Sequence, residues 1–240
     1  MPGALARCDL SCAWTRRAPA VDCHGPSPTG RPGLSLPDRA AAPQVIRASR
    51  QPCPPPRAFM SIFSARGDLT RSQADEYAAA LLHLVGTQDP MEVLRATPGA
   101  LRRELDHIPA SQLGTPEAPG KWSARVVIAH LADSEFAEAY RLRMVLASDH
   151  PTIVPSDQDQ WATGLHYERT DVTKSLERFS LLRQTNLDLW ANASPDDLAR
   201  VGIHGERGPE NVERMRHLHA GHDLAHLRQL ARLRILLTGH

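Results

Sequence analysis

The foldable part of this sequence has no cysteine. All four cysteines, Cys8, Cys12, Cys23 and Cys53, lie in the N-terminal stretch, so disulfides do not hold the remainder together and no thiol there serves as a nucleophile. The four do not make a standard zinc pattern either, because a Cys-x-x-Cys pair is missing. Long apolar runs are also absent. None is long enough to span a bilayer, and no apolar stretch of signal-peptide length follows Arg7, so neither a membrane segment nor secretion is expected and the cytoplasm is the default compartment. No nucleophile elbow and no phosphate-cradling glycine loop is present. Basic residues form no block and are not interleaved with aromatics, which gives no physical basis for nucleic-acid binding.

Prolines and charges divide the chain in two. Eleven of the 20 prolines fall before residue 60, a density that removes too many N–H donors for helix or strand. The same 59 residues carry eight Arg and three Asp (net +5), against 20 basic and 24 acidic residues in the remainder (net −4). Residues 1–59 therefore read as a disordered Pro/Arg-rich extension, or as the product of a start codon placed upstream of Met60. Residues 60–240 are the domain, with an apolar content, 41% over the chain, that is ordinary for a globular protein.

From Met60 the periodicity is helical. Ala74, Tyr77, Ala78, Leu81 and Leu82 mark a first helix over 72–84, stopped at Gly86. Asp89-Pro90 is a helix start, and Thr97-Pro98 repeats the device, predicting a break or kink before Leu101. Ser123 is the N-cap of a long helix to about Ala147 with Val127, Leu131 and Val145 on its apolar face. An irregular connection follows over 150–170. Asp171 caps another long helix through Trp190, with Leu176, Phe179 and Leu182 on its stripe. Gly202–Pro209 reads as a loop, and a last helix runs from Asn211 to about Leu237. With no convincing alternating strand, the fold class is all-α, a helical bundle.

Histidines interrupt two core-facing stripes. His222 and His226 stand one helical turn apart, with Cβ atoms roughly 6 Å from each other. His130 lies on the apolar side of the helix that Ser123 starts. Buried neutral imidazoles need polar partners, and one shared metal ion would satisfy three at once. The angular positions of His217 and His219 on the last helix place at most one of them near the site, and neither is expected to be a ligand. His222-Asp223-Leu224-Ala225-His226 also has the shape of a zincin His-Glu-x-x-His helix with Asp for Glu, but the shorter carboxylate reaches less far and no third ligand follows downstream.

Pro119-Gly120-Lys121-Trp122-Ser123, His130-Leu131-Ala132-Asp133-Ser134-Glu135, Tyr140-Arg141-Leu142-Arg143 and Gly221-His222-Asp223-Leu224-Ala225-His226-Leu227-Arg228-Gln229 together resemble the DinB-like superfamily over about residues 85–235. The resemblance implies a four-helix bundle in up-down-down-up order. It also implies a divalent metal held by three histidines, which fall here on His130, His222 and His226. Relatives of that kind include thiol-dependent S-transferases and a mycothiol-dependent maleylpyruvate isomerase.

Three neutral nitrogens leave a bound metal its positive charge and an open position, where water or a thiol loses its proton more easily. Imidazole ligands suit zinc, nickel or iron alike. Asp133 and Gln229 are the candidates for orienting the imidazoles, and Asp157 and Trp161 for the mouth of a pocket. The expected function is a metal-dependent enzyme transferring a low-molecular-weight thiol to a small electrophile. A metal-dependent hydrolase and a non-catalytic metal-stabilised bundle are the alternatives. Small molecules are the expected partners, with no nucleic acid and no membrane. A homodimer is allowed for, although the helical faces do not separate a self-association surface from a pocket wall.

Overall fold

In a computed structural model of the chain, residues 69–239 are described. The Pro/Arg-rich extension, its boundary at Met60 and the four cysteines lie outside them. The helices begin where the sequence supplies a side-chain acceptor for an amide that has no partner inside the helix. α1 (Arg71–Val85) opens on a Thr70–Gln73 capping box. Asp89 caps α2 (Pro90–Asp106), which carries Pro90 in its first turn. Ser123 caps α3 (Ala124–Ala147), and Asp157 caps the short α4 (Gln158–Gly164). Asp171 caps α5 (Val172–Asn192), Ser194 caps α6 (Pro195–Ala199), and Asn211 caps α7 (Val212–Thr238).

Contacts along the helices fix their directions. Arg125 at the start of α3 donates to the Thr170 carbonyl just before α5, at 3.3 Å, and Asp133 meets Arg178 at 3.2 Å farther on. α3 and α5 therefore run the same way. α7 runs against α3, since Glu117 pairs with Arg232 near one end while Glu135 meets His219 toward the other. α2 follows α7: Glu104 pairs with Arg234, and Leu94 and Asp223, ten and eleven residues earlier, both bind Arg183. The four long helices α2, α3, α5 and α7 thus form an up-down-down-up bundle. Two consecutive parallel helices need a crossover, and residues 148–171 supply it. α1 lies along α7, where Gly221 makes the close approach possible: a Cβ there would sit 2.3 Å from the Leu81 carbonyl oxygen.

Two apolar clusters fill the bundle. One holds Leu101, Ile128, Leu131, Phe179 and Leu230, and the other Leu94, Leu142, Val145, Trp190 and Val212. The stretch of α3 between them carries the buried acids Glu135 and Glu138.

Three details differ from the sequence reading. Of the break or kink expected at Thr97-Pro98, the break does not occur: the helix continues through both residues. Thr97 turns its hydroxyl to the Val93 carbonyl at 2.9 Å, and the Leu94 carbonyl, which loses its helical donor at Pro98, takes Arg183 Nη1 at 2.8 Å. Residues 202–209 are not a loop: β2 (Val201–His204) and β3 (Gly208–Asn211) form an antiparallel hairpin, and β1 (Thr152–Ile153) pairs in parallel with β2. Gly202, Gly208 and Pro209 hide this hairpin from a search for alternating apolar residues. The 150–170 connection is also more ordered than expected, containing β1, α4 and a 3₁₀ turn over Tyr167–Arg169.

Candidate metal centre

The cap at Ser123 and the apolar positions of α3 place His130 inside the bundle, facing α7. The structure brings His130, His222 and His226 together through their Nε2 atoms. His130 Nε2 lies 3.0 Å from His222 Nε2, which lies 3.2 Å from His226 Nε2. Two ligand nitrogens held at roughly 2.0–2.1 Å by one ion are about 3.0 Å apart at a right angle and about 3.3 Å apart at the tetrahedral angle. The observed separations lie in that range. Trp122 closes one side, its ring centroid 4.9 Å from His130 and stacked on His226 at 6.3 Å.

Charge and tautomer suit the same use. Burial, reinforced by the neighbouring imidazoles, holds His130 and His222 well below the ordinary histidine value, and burial also lowers His226. All three are neutral, each with one lone pair to give. Gln229 Oε1 accepts from His226 Nδ1 at 2.9 Å, which leaves the His226 lone pair on Nε2. His222 Nδ1 is buried without a hydrogen-bond partner among the described residues. Three neutral Nε2 atoms at this spacing fit one divalent ion.

Asp133 does not join this arrangement. Its Oδ2 accepts from the Tyr167 hydroxyl at 2.7 Å and its Oδ1 pairs with Arg178, so it fastens α3 to α5. Asp157 is spent on capping α4, whereas Trp161 does line the cavity beside the histidines. Asp223, the residue in the zincin-like position, is 1% exposed and turned to Arg183.

A second polar cluster, which periodicity did not reveal, adjoins the first. Arg183 is 1% exposed and donates to Glu135 Oε1 (3.0 Å from Nε), to both Asp223 oxygens (2.7 and 3.0 Å) and to the Leu94 carbonyl. Asn186 Nδ2 reaches the other Glu135 oxygen at 2.9 Å, and His219 Nε2 donates to Glu135. Burial works against ionising Glu135, but His219 and Arg183 outweigh it and hold the carboxyl at about 2. Burial likewise opposes a charged His219, and Glu135 overcomes it, so the imidazole stays protonated above its ordinary value. Glu135, His219 and Asp223 also stand close enough to share an ion. There the Arg183 guanidinium already lies against both carboxylates and supplies the positive charge they face.

A family model for the DinB superfamily matches residues 94–230, more than half of the chain. The chain belongs to the DinB superfamily. The match runs from α2 into α7 and includes all three histidines. Among DinB-related proteins, the "Putative metal-dependent hydrolase" of Oceanobacillus iheyensis is 29% identical over 136 residues, 57% of this chain and 78% of that protein. YfiT of Bacillus subtilis, named in the same way, is 27% identical over 146 residues, 59% of this chain and 82% of that one. A solved structure of YfiT, described as a probable metal-dependent hydrolase with an unusual four-helix bundle topology, superposes with a TM-score of 0.56 at 23% identity, covering 72% of this chain and 97% of that chain. This likeness shows the DinB bundle fold. Among the described residues no helix is long and apolar enough to cross a membrane.

Proposed function

We propose that the protein is a metal-dependent enzyme acting on small molecules, with His130, His222 and His226 as the ligands of one divalent ion. The observation that carries this reading is the convergence of three neutral Nε2 atoms at 3.0 and 3.2 Å, spacings suited to a shared cation. An ion held there supplies positive charge that favours the deprotonated form of a thiol or water. Gln229 orients His226, Trp122 shields the ligands on one side, and the cavity opens from His130 and His222 toward Trp161.

Thiol transfer is the first reading, because a cation at the histidines favours a thiolate directly. Hydrolysis gains from a carboxylate base beside the nucleophilic water. Asp133 and Asp223, the carboxylates nearest in sequence to the ligands, are committed to Tyr167 with Arg178 and to Arg183, which leaves Glu138, a buried carboxylate lining the cavity, as the candidate base for hydrolysis. A thiol ordinarily ionises near 8.5 and needs no such base once a cation is near. Its sulfur would bond to an electrophilic carbon, the leaving group departing with the bonding pair and the thiol proton passing to solvent. The names of the Bacillus and Oceanobacillus relatives favour hydrolysis as the second reading.

Two measurements on untagged full-length protein test this. Elemental mass spectrometry is expected to find about one divalent ion per chain, lost on His222→Ala. The loaded protein is expected to accelerate conjugation of a small thiol to 1-chloro-2,4-dinitrobenzene more than it accelerates hydrolysis of p-nitrophenyl acetate. Metal retained by His222→Ala would remove the ligand assignment, and ester hydrolysis alone would replace thiol transfer with the second reading.

A further inference from the structure

The cavity beside the histidines also contains polar groups that the proposed chemistry does not use. It measures about 110 Å³, far below the roughly 300–1,000 Å³ of a site for a drug-sized molecule. Whatever it holds is small. Arg207 and Glu210 line it but cancel each other, with Arg207 Nη2 2.8 Å from Glu210 Oε2.

Glu138 and Arg141 line it too, and no ion pair or hydrogen bond joins them. They are three residues apart on α3, the spacing at which opposite charges normally meet. Arg141 instead turns Nη2 to the Val154 carbonyl at 2.8 Å and to Ser156 Oγ at 3.4 Å. Glu138 is 7% exposed, and its Oε1 has no hydrogen-bond partner among the described residues. Gln158, at the start of α4 and 6% exposed, likewise leaves its Oε1 without one. Buried acceptors are ordinarily satisfied, and here two that are not line the same cavity as a cation that forms no ion pair with a carboxylate among the described residues. Burial raises the Glu138 carboxyl above its usual range, with His219 and Arg141 only partly offsetting it, and an ammonium ion alongside would bring it back down.

We propose that this cavity recognises a small α-amino acid, or a molecule presenting one, with Glu138 and Gln158 receiving the ammonium group and Arg141 the carboxylate. The inference deepens the proposed function by naming the class of its small substrate, and it rests on that reading only for the side chain, which would extend toward His130 and His222.

Isothermal titration of the full-length protein, with metal content measured on the same preparation, tests it. The probes are L-cysteine, cysteamine and 3-mercaptopropionate, then L-alanine, ethylamine and propionate. Each amino acid is expected to bind at least roughly ten-fold more tightly than the analogue lacking its carboxylate and the one lacking its ammonium, since each loses a charge-assisted contact. Glu138→Gln is expected to remove the advantage over propionate and 3-mercaptopropionate, and Arg141→Met the advantage over ethylamine and cysteamine. Equal affinities within each set, or no binding by any probe, would overturn the proposal, and the wild-type comparison decides this even if a variant fails to fold. A metal-free protein that still prefers L-alanine would support the amino-acid site while removing the metal reading. A metal-loaded protein that binds the three thiols equally would do the reverse.

Discussion

Arg183 Nη1 sits 2.8 Å from the Leu94 carbonyl oxygen, the acceptor that Pro98 deprives of its helical donor. A guanidinium on α5 thereby repairs a defect in α2 while its other nitrogens neutralise Glu135 on α3 and Asp223 on α7. One side chain ties all four bundle helices. Arg183→Met should cost about 3–5 kcal/mol, because it leaves two buried carboxylates short of their cation. Pro98→Ala returns an N–H to the Leu94 carbonyl, so in that background the same change should cost about 1 kcal/mol less. Chemical denaturation of the four proteins of this cycle measures the coupling, and strict additivity would mean that the Leu94 oxygen does not depend on Arg183.

Glu135 gives the bundle a defined pH signature. Its folded pKa of about 2 lies below the ordinary 4.5, so its stabilisation is present above 4.5 and disappears as pH falls toward 2. His219 shifts the other way: its share is present below its ordinary 6.5 and is lost as pH rises through its raised folded value. The stability gap between wild type and Glu135→Gln should therefore be widest from about pH 4.5 to 6.5, on the order of 3–5 kcal/mol. It should narrow on both sides. A gap that grew as the pH was lowered from 4.5 would have the wrong sign for an ionised buried Glu135.

Much of this could be read in the sequence because helix caps and apolar spacing are local signals. Asp89, Ser123, Asp171 and Asn211 each begin the helix expected of them. His130, His222 and His226 stood out as polar interruptions of otherwise apolar faces. Arg183 and Asn186 interrupt the stripe of Leu176, Phe179 and Trp190 in the same way, and that signal could have found them. They escaped because Arg and Asn are ordinarily exposed, whereas their burial depends on acids carried by other helices. That α2 does not break at Pro98 was hidden for the same reason, since the donor that rescues the Leu94 carbonyl comes from 89 residues away on α5. The Val201–Asn211 hairpin depends on pairing with Thr152–Ile153, a contact that no local pattern announces.

The approach of α1 to α7 should be sensitive to a single methyl group. Alanine is favoured over glycine inside a helix by about 1 kcal/mol. At Gly221, however, the added Cβ would lie 2.3 Å from the Leu81 carbonyl oxygen, and backbone yields less readily than a side-chain tip. Overpacking of this sort costs about 1–3 kcal/mol, so Gly221→Ala should lower stability on balance. Gly99→Ala in α2 is the control. Its Cβ would meet only the flexible Arg103 guanidinium at 3.4 Å, so the melting temperature should rise. A rise for both variants would show that α1 can move away from α7 at little cost.

Gln229 and Asp133 stand at similar sequence distances from a candidate ligand, three residues beyond His226 and His130 respectively, but only Gln229 touches one. Its Oε1 accepts from His226 Nδ1 at 2.9 Å, holding the Nε2 lone pair toward His222. Gln229→Leu should weaken zinc binding by roughly 10–100-fold, the usual effect of losing the group that orients a ligating imidazole. Gln229→Glu keeps an acceptor at this position and should retain most of the affinity. Asp133→Asn should leave zinc affinity within about two-fold while lowering the melting temperature, because what it loses is charge opposite Arg178 and a strong acceptor for the Tyr167 hydroxyl. Competition titration against a chromophoric chelator gives the affinities. If Asp133→Asn weakened zinc as much as Gln229→Leu, metal affinity would be answering to how firmly α3 is docked on α5, and orientation of His226 would lose its special role.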